Sequence, residues 1–250
     1  MAPIVSAECA LGASSPQVAF AAPDQCVVVT GQRLKFATCS APLEPDETRW
    51  HAGNTPHGVA LVATCPKAGV FAFTERTQRP AIEMCTYPDM MPKCTLEFEA
   101  LEFTAMAFLR NGKQFAALTG LPQPTLVVWS MDTLTVLVSV PLAVPCDSLS
   151  FNPGADGLLC TQASKKLTMW RVKLVYETHL VSSAEVVAPE MPPPETPEAP
   201  EAMLEPPAPA AWTCHAWSQG GSLYAGTESG AIVAVPGKGV DMGFTTGKAE

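Results

Sequence analysis

"TLVVWSMDTLTVLVSV" (125–140) holds two apolar runs rich in Val, Leu and Thr, joined by a Trp-Ser-Met-Asp step. Short runs of that composition, separated by polar turn residues, read as adjacent strands. A similar step returns in "KKLTMWRVKLV" (165–175), where Trp170 follows Trp129 by 41 residues. In the other direction Tyr87 precedes Trp129 by 42 residues, and Phe108 precedes Phe151 by 43. The interval is a repeat.

Each repeat contains four strand-like runs. Residues 58–98 give "GVALVAT", "GVFAFTE", "PAIEMCTY" and "KCTLEF"; residues 101–140 give "LEFTAMAF", "KQFAALTG", "TLVVWS" and "LTVLVSV". Residues 146–181 follow with "CDSLSF", "DGLLCTQ", "KKLTMW" and "KLVYETHLV". Gly, Pro, Asn and Asp turns separate them. A period near 40–45 residues with four strands per unit is that of WD-type propeller blades. A Trp closing the third strand covers much apolar area while its indole N–H keeps a polar partner within reach. Tyr87 is expected in the same place in the preceding unit. Ser130 and Arg171 stand where the usual Asp would follow the Trp, and the Gly-His step is missing, so the blades are degenerate.

Two incomplete units flank these three. Residues 17–39 predict three strands followed by a long polar loop, "SAPLEPDETRWHAGNTP" (40–56), and residues 212–239 predict three more. The expected fold is therefore all-β, a WD40-type β-propeller of about five degenerate blades, either an incomplete ring or the N-terminal part of a longer propeller. The expected organisation is an N-terminal tail (1–16), blades (17–187), a Pro/Glu-rich insertion (188–211), a further incomplete blade (212–239) and a C-terminal tail (240–250). Within the insertion, residues 189–210 carry nine prolines, five glutamates and no Lys or Arg. Such a segment buries too little apolar surface to offset its ordering entropy, and a solvated inter-blade loop is expected.

Composition narrows the function. An apolar fraction of 47% with 16% charged residues is globular, and a net charge of −9 disfavours a nucleic-acid or anionic-membrane surface. The first 32 residues lack Lys and Arg, and the longest apolar stretch (134–146) is too short for a bilayer span, so a soluble intracellular protein is expected. Nine cysteines, odd in number and without a CxxC pair, read as buried thiols rather than a disulfide framework.

Candidate chemistry is sparse. The only sequence-local meetings of thiol and imidazole are Cys214–His215 and the group His51, His57 and Cys65. Neighbouring side chains on a strand point to opposite faces, which argues against a Cys–His pair. The second group has irregular spacing and no fourth zinc ligand. Gly243-x3-Gly247-Lys248 misses both the spacer and the Ser/Thr of a phosphate loop. Glu99 and Glu102 read as solvent-facing charges. No catalytic, cofactor-binding or metal residue is therefore assigned, no cofactor is expected, and the chain is read as a non-enzyme. Partner specificity would reside in loops such as 76–81, 120–124 and 152–156; Arg76, Arg79 and the prolines are candidates there, and plain exposed loop polarity is the favoured reading of them.

"VFAFTERTQRPAIEMCTYPDM" (70–90), "TGLPQPTLVVWSMDT" (119–133) and "LSFNPGADGLLCTQASKKLTMWRV" (149–172) form a series, with "CHAWSQGGSLYAGTESGAIVAV" (214–235) beyond the insertion. Over roughly residues 17–238 this series resembles the N-terminal WD-repeat region of the axonemal cilia- and flagella-associated protein 43 family. The resemblance implies a large non-enzymatic scaffold of the ciliary axoneme, with N-terminal propellers and a coiled-coil C-terminal half. It implies pairing with cilia- and flagella-associated protein 44, in the tether that joins an inner dynein arm to the doublet microtubule. It carries over no active-site residue, and this sequence contains no heptad segment. A cytoplasmic WD-repeat adaptor in an assembly or trafficking complex is the alternative; a propeller enzyme ranks third, because no acidic or His cluster falls on the innermost strands.

Overall fold

The computed structural model describes residues 18–39, 48–176, 178–187 and 211–237. The expected tails (1–16 and 240–250) and, apart from Ala211, the Pro/Glu-rich insertion lie outside the described residues, as does the Gly243–Lys248 stretch. Among the described residues, regular structure is β-strand apart from a 3-10 turn at Pro66–Ala68. The strands form five antiparallel sheets, each a meander in sequence order. The all-β propeller-blade reading stands.

The first sheet contains β1 (Val18–Ala22), β2 (Gln25–Thr30), β3 (Arg33–Thr38) and β4 (Arg49–Ala52). The second contains β5 (Val59–Cys65), β6 (Val70–Glu75), β7 (Ile82–Thr86) and β8 (Pro92–Leu96). The third contains β9 (Phe103–Phe108), β10 (Gln114–Thr119), β11 (Thr125–Ser130) and β12 (Val136–Pro141). The fourth has β13 (Ser148–Phe151), β14 (Leu158–Ala163), β15 (Lys166–Val175) and β16 (Thr178–Val186). The fifth has β17 (Trp212–Trp217), β18 (Leu223–Thr227) and β19 (Ile232–Val235). The chain divides into two compact units at Leu149/Ser150.

Three details differ from the sequence reading. The first blade is complete: "RWHA" inside the expected loop pairs with β3, Leu34 opposite His51 and Lys35 opposite Trp50. The Lys35 ammonium lies 5.6 Å from the centre of the Trp50 ring, a cross-strand cation–π contact that pins this short strand. Next, "KLVYETHLV" is not one strand. Lys173–Val175 end β15, the chain turns at Tyr176 with φ 47°, and β16 begins at Thr178. Last, Tyr87 is not the counterpart of the tryptophans. The second residue of each second strand faces the relevant third-strand position: Phe115 faces Trp129, Leu159 faces Trp170 and Phe71 faces Cys85. Cys85 therefore fills the place. Tyr87 lies two residues further on, stacks on Phe36 at 5.2 Å and donates its hydroxyl to Gln25 Oε1 at 3.1 Å.

In the first unit the blades meet through their first strands, with β5 touching both β1 and β9. Sequence alternation explains what fills these seams. In the second and third blades the second strands are covered on both faces, so β6 is buried at all six positions and β10 at five of six. One core cluster joins Leu61, Ala72, Ile82 and Met84 of the second blade to Phe103, Phe115, Val127 and Trp129 of the third. Another joins Val27, Leu34 and Phe36 of the first blade to Val62, Phe71 and Phe73 of the second. In the second unit, Leu158, Cys160, Leu167 and Met169 pack with Trp212, Leu223 and Ala225. Trp170 keeps its polar contact there: its indole N–H donates to Thr161 Oγ1 at 2.9 Å.

Candidate functional site

The three loops expected to carry contacts do not occupy equivalent places. Residues 76–81 and 120–124 link the second and third strands of their blades, whereas 152–156 links first to second. In an antiparallel meander those are opposite ends of a blade. Counting each turn's place within its quartet carries this information. Asn152, moreover, is buried: its Nδ2 donates to the Gly221 carbonyl at 2.9 Å, and its Oδ1 accepts from Gly154 N–H at 2.7 Å. That loop begins as a brace between blades of the second unit. Arg76, Arg79 and the cis-linked Leu121–Pro122 pair are exposed.

At the 76–81 end of the first unit is a cavity of about 380 Å³, between the end of β6 and the start of β9. Thr74, Glu75 and Arg76 form one wall, and Leu101, Glu102 and Phe103 form another. Glu75 is only 8% exposed, and its Oε1 accepts the Thr55 backbone N–H at 3.0 Å. A Cβ on Gly53 would overlap that carboxylate, and a Cβ on Gly120 would overlap the carboxylate of Glu102. Two glycines thus open the space the glutamates occupy. Glu102 was expected to be a bland solvent-facing charge; it is exposed, but it lines this cavity. Among the described residues four buried side-chain atoms lack a hydrogen-bond partner: His51 Nε2, Thr55 Oγ1, Thr74 Oγ1 and Gln114 Oε1.

The group His51, His57 and Cys65 is not brought together. His51 sits edge-on to Phe71 and Phe73, 5.5 and 5.1 Å between ring centres. His57 is exposed, and Cys65 lies at the far end of β5, its thiol directed at the Leu109 and Arg110 carbonyls. Burial raises the pKa of the Cys65 and Cys85 thiols, which keeps them protonated and unreactive. Among the described residues no group of three or more His, Cys, Asp or Glu could hold a metal ion, and no helix is long and apolar enough to cross a membrane.

The second unit holds a polar chain that the sequence did not reveal. Trp217 Nε1–H donates to Ser150 Oγ at 2.9 Å, and Ser150 Oγ lies 2.7 Å from His215 Nε2. His215 Nδ1 is 2.8 Å from Gln162 Oε1, whose amide nitrogen donates to the Trp212 carbonyl at 3.3 Å. One proton arrangement satisfies every link. Gln162 gives its N–H to a carbonyl, so its oxygen takes Nδ1–H; Nε2 then accepts the Ser150 hydroxyl, which in turn accepts the indole. The order resembles a nucleophile, base and orienter. Its evident effect is to tie β13 and β14 of the fourth blade to β17 of the fifth, with Cys214 exposed on the other side of the strand.

Burial lowers the pKa of His215, and of His51 as well, where Glu75 partly opposes the shift. Both are protonated less readily when folded than the free imidazole at about 6.5. The unfolded chain therefore binds more protons, and stability rises with pH through this window. The contribution of these two histidines is present above the free-imidazole value of about 6.5 and is lost as pH falls below it. A denaturant midpoint that is lower at about pH 5.5 than at about 7.5 is expected. His215→Asn should flatten the difference, and an identical midpoint for the unsubstituted chain at both pH values would contradict it.

No family model matches the chain. Among curated proteins it is similar to cilia- and flagella-associated protein 43 of Mus musculus, 26% identical over 124 residues, which is 48% of this chain and 7% of that protein. The Xenopus laevis protein of the same name is 26% identical over 141 residues, 50% of this chain and 8% of that protein. The Chlamydomonas reinhardtii one is 22% identical over 265 residues, 90% of this chain and 14% of that protein. The matched region thus spans a small part of each relative's length.

Proposed function

We propose that this chain is a protein-binding propeller module of cilia and flagella, a non-enzymatic scaffold of the axoneme. In this reading it contributes to the tether between an inner dynein arm and the doublet microtubule, with cilia- and flagella-associated protein 44 and inner dynein arm components as its partners. The observation that carries it is the similarity along 90% of the chain to the Chlamydomonas reinhardtii protein. The blade architecture supports it physically. Rigid stacked sheets hold inter-strand loops in fixed positions, and such loops can grip partners and transmit force with little deformation.

The test is a tagged chain expressed in a flagellated cell, followed by extraction of isolated axonemes with graded salt. Retention in the salt-resistant axoneme, together with dynein-tether components, is the expected result. A wholly soluble cytoplasmic pool would overturn the axonemal reading.

A further inference from the structure

We propose that Cys26 and Cys39 form a redox-active dithiol on the first blade, a modification site that hydrogen peroxide converts to a disulfide and a thiol reductant restores. The proposal goes beyond the ciliary reading and does not depend on it.

The strand register makes the pair. β2 and β3 run antiparallel, with Cys26 opposite Ala37 and Gln25 opposite Thr38. Side chains alternate between faces along a strand, so Cys39, two residues beyond Ala37, returns to the face that Cys26 occupies. The Cys39 N–H donates to the Asp24 carbonyl at 2.6 Å, which carries the pairing one step past Thr38 and sets Cys39 diagonally across from Cys26. There the two thiols meet in a side-chain hydrogen bond. Gln25 Nε2 donates to Thr38 Oγ1 at 2.7 Å and clamps the same end of the hairpin from its other face.

Exposure assigns the roles. Cys39 is exposed and Cys26 is half-buried, whereas Cys65, Cys85, Cys146 and Cys160 are buried. The oxidant therefore meets Cys39 first. The Cys39 sulfur takes one oxygen from hydrogen peroxide to become a sulfenic acid, and one water leaves. The Cys26 sulfur then attacks the Cys39 sulfur, the S–O bond breaks, and the hydroxyl departs with the Cys26 proton as a second water. The two thiols have lost two electrons, and the peroxide has been reduced to two waters. Burial, with the Cys39 thiol beside it, pushes the Cys26 thiol up, so Cys26 rests protonated and acts as the resolving partner. Two thiols in contact need a small closing movement to reach disulfide geometry. Cys39 can supply it, because it lies past the last residue of β3.

The bond would join the strands at the end away from the Gly31 turn, closing β2 and β3 into a ring. Phe20, 58% exposed, stands opposite Cys26 on the same face. Oxidation thus stiffens an exposed apolar edge of the first blade.

The experiment treats the reduced full chain with a small molar excess of hydrogen peroxide, alkylates the remaining thiols and maps the peptides by mass. A Cys26–Cys39 linked peptide, two hydrogens lighter and lost on reduction with dithiothreitol, is the expected dominant product. Amide exchange in β2 and β3 should slow by at least about fivefold in the oxidised chain. Cys26→Ser removes the resolving thiol, so dimedone should label the Cys39 sulfenic acid at least about fivefold more than in the unsubstituted chain. Cys214→Ser, which changes an exposed cysteine on another blade, should leave the linked peptide unchanged. A further measurement needs no variant. Phenylarsine oxide, which requires two thiols within reach of one arsenic atom, should bind the reduced chain and bind at least about tenfold more weakly after peroxide treatment. Linkage of either cysteine to one outside the hairpin, equal dimedone labelling with and without Cys26, or arsenical binding unaltered by peroxide would overturn the proposal. None of these results bears on axonemal retention, so the two readings fail separately.

Discussion

Trp129→Ala should lower the stability of the first unit by about 3–5 kcal/mol, the range for emptying a fully buried large aromatic site. Trp129 is 1% exposed in the cluster that joins the second and third blades. Phe98 meets it edge-on with ring centres 6.1 Å apart, and Phe115 lies across the strand pair at 5.9 Å. Phe115 is in turn held by Phe108 at 4.7 Å, so the rings form one block. Removing the indole leaves a cavity whose walls are strands already tied on both sides by ladder hydrogen bonds, and those cannot close inward. Trp129→Phe keeps an aromatic in contact with Phe98 and Phe115 and should cost roughly 1–2 kcal/mol. Denaturant midpoints with an unchanged slope would check both values. If the two variants lose equal stability, the indole's volume is not what secures the seam.

That the repeat was visible from Trp129 and Trp170 follows from how blades are built. In the second to fourth blades the second strands are buried on both faces, so they stand out as apolar runs against turn residues. β6, β10 and β14 are all of this kind. β4 was not legible, because an outer four-residue strand reading Arg-Trp-His-Ala has one wet face and no alternation long enough to register. The turn at Tyr176 was hidden for another reason: no Gly or Pro marks it, and apolar alternation runs straight across the break. Cys85 went unrecognised because an aromatic two residues later fitted the spacing, whereas register is decided by the opposing strand.

The candidate site was less legible still. Thr74 and Glu102 come from different blades, and the packing of β5 against β9 brings them to one cavity. Ser150 and His215 are 65 residues apart, with the insertion between them. Adjacent residues on a strand diverge: His215 turns to Ser150 and Gln162, while Cys214 is exposed.

The second large effect belongs to a backbone position. Gly157→Ala should destabilise the second unit by about 3 kcal/mol, adding steric overlap to the strain of a left-handed residue. Gly157 has φ +71°, and a Cβ there would run into the Val172 carbonyl, a backbone atom that cannot rotate away. Val172 is itself fixed, because its N–H donates to the Gly157 carbonyl at 2.7 Å. The new methyl group therefore pushes apart the pairing it sits beside, at the point where β14 begins against β15. Gly230 supplies the comparison within the same unit. Its φ is +82°, yet nothing lies within 4 Å of an added Cβ. Gly230→Ala should then cost only the conformational part, about 1 kcal/mol. The difference between the two variants isolates the overlap with Val172. If both lose the same stability, the close approach at Gly157 contributes nothing, and the glycine is there for its φ alone.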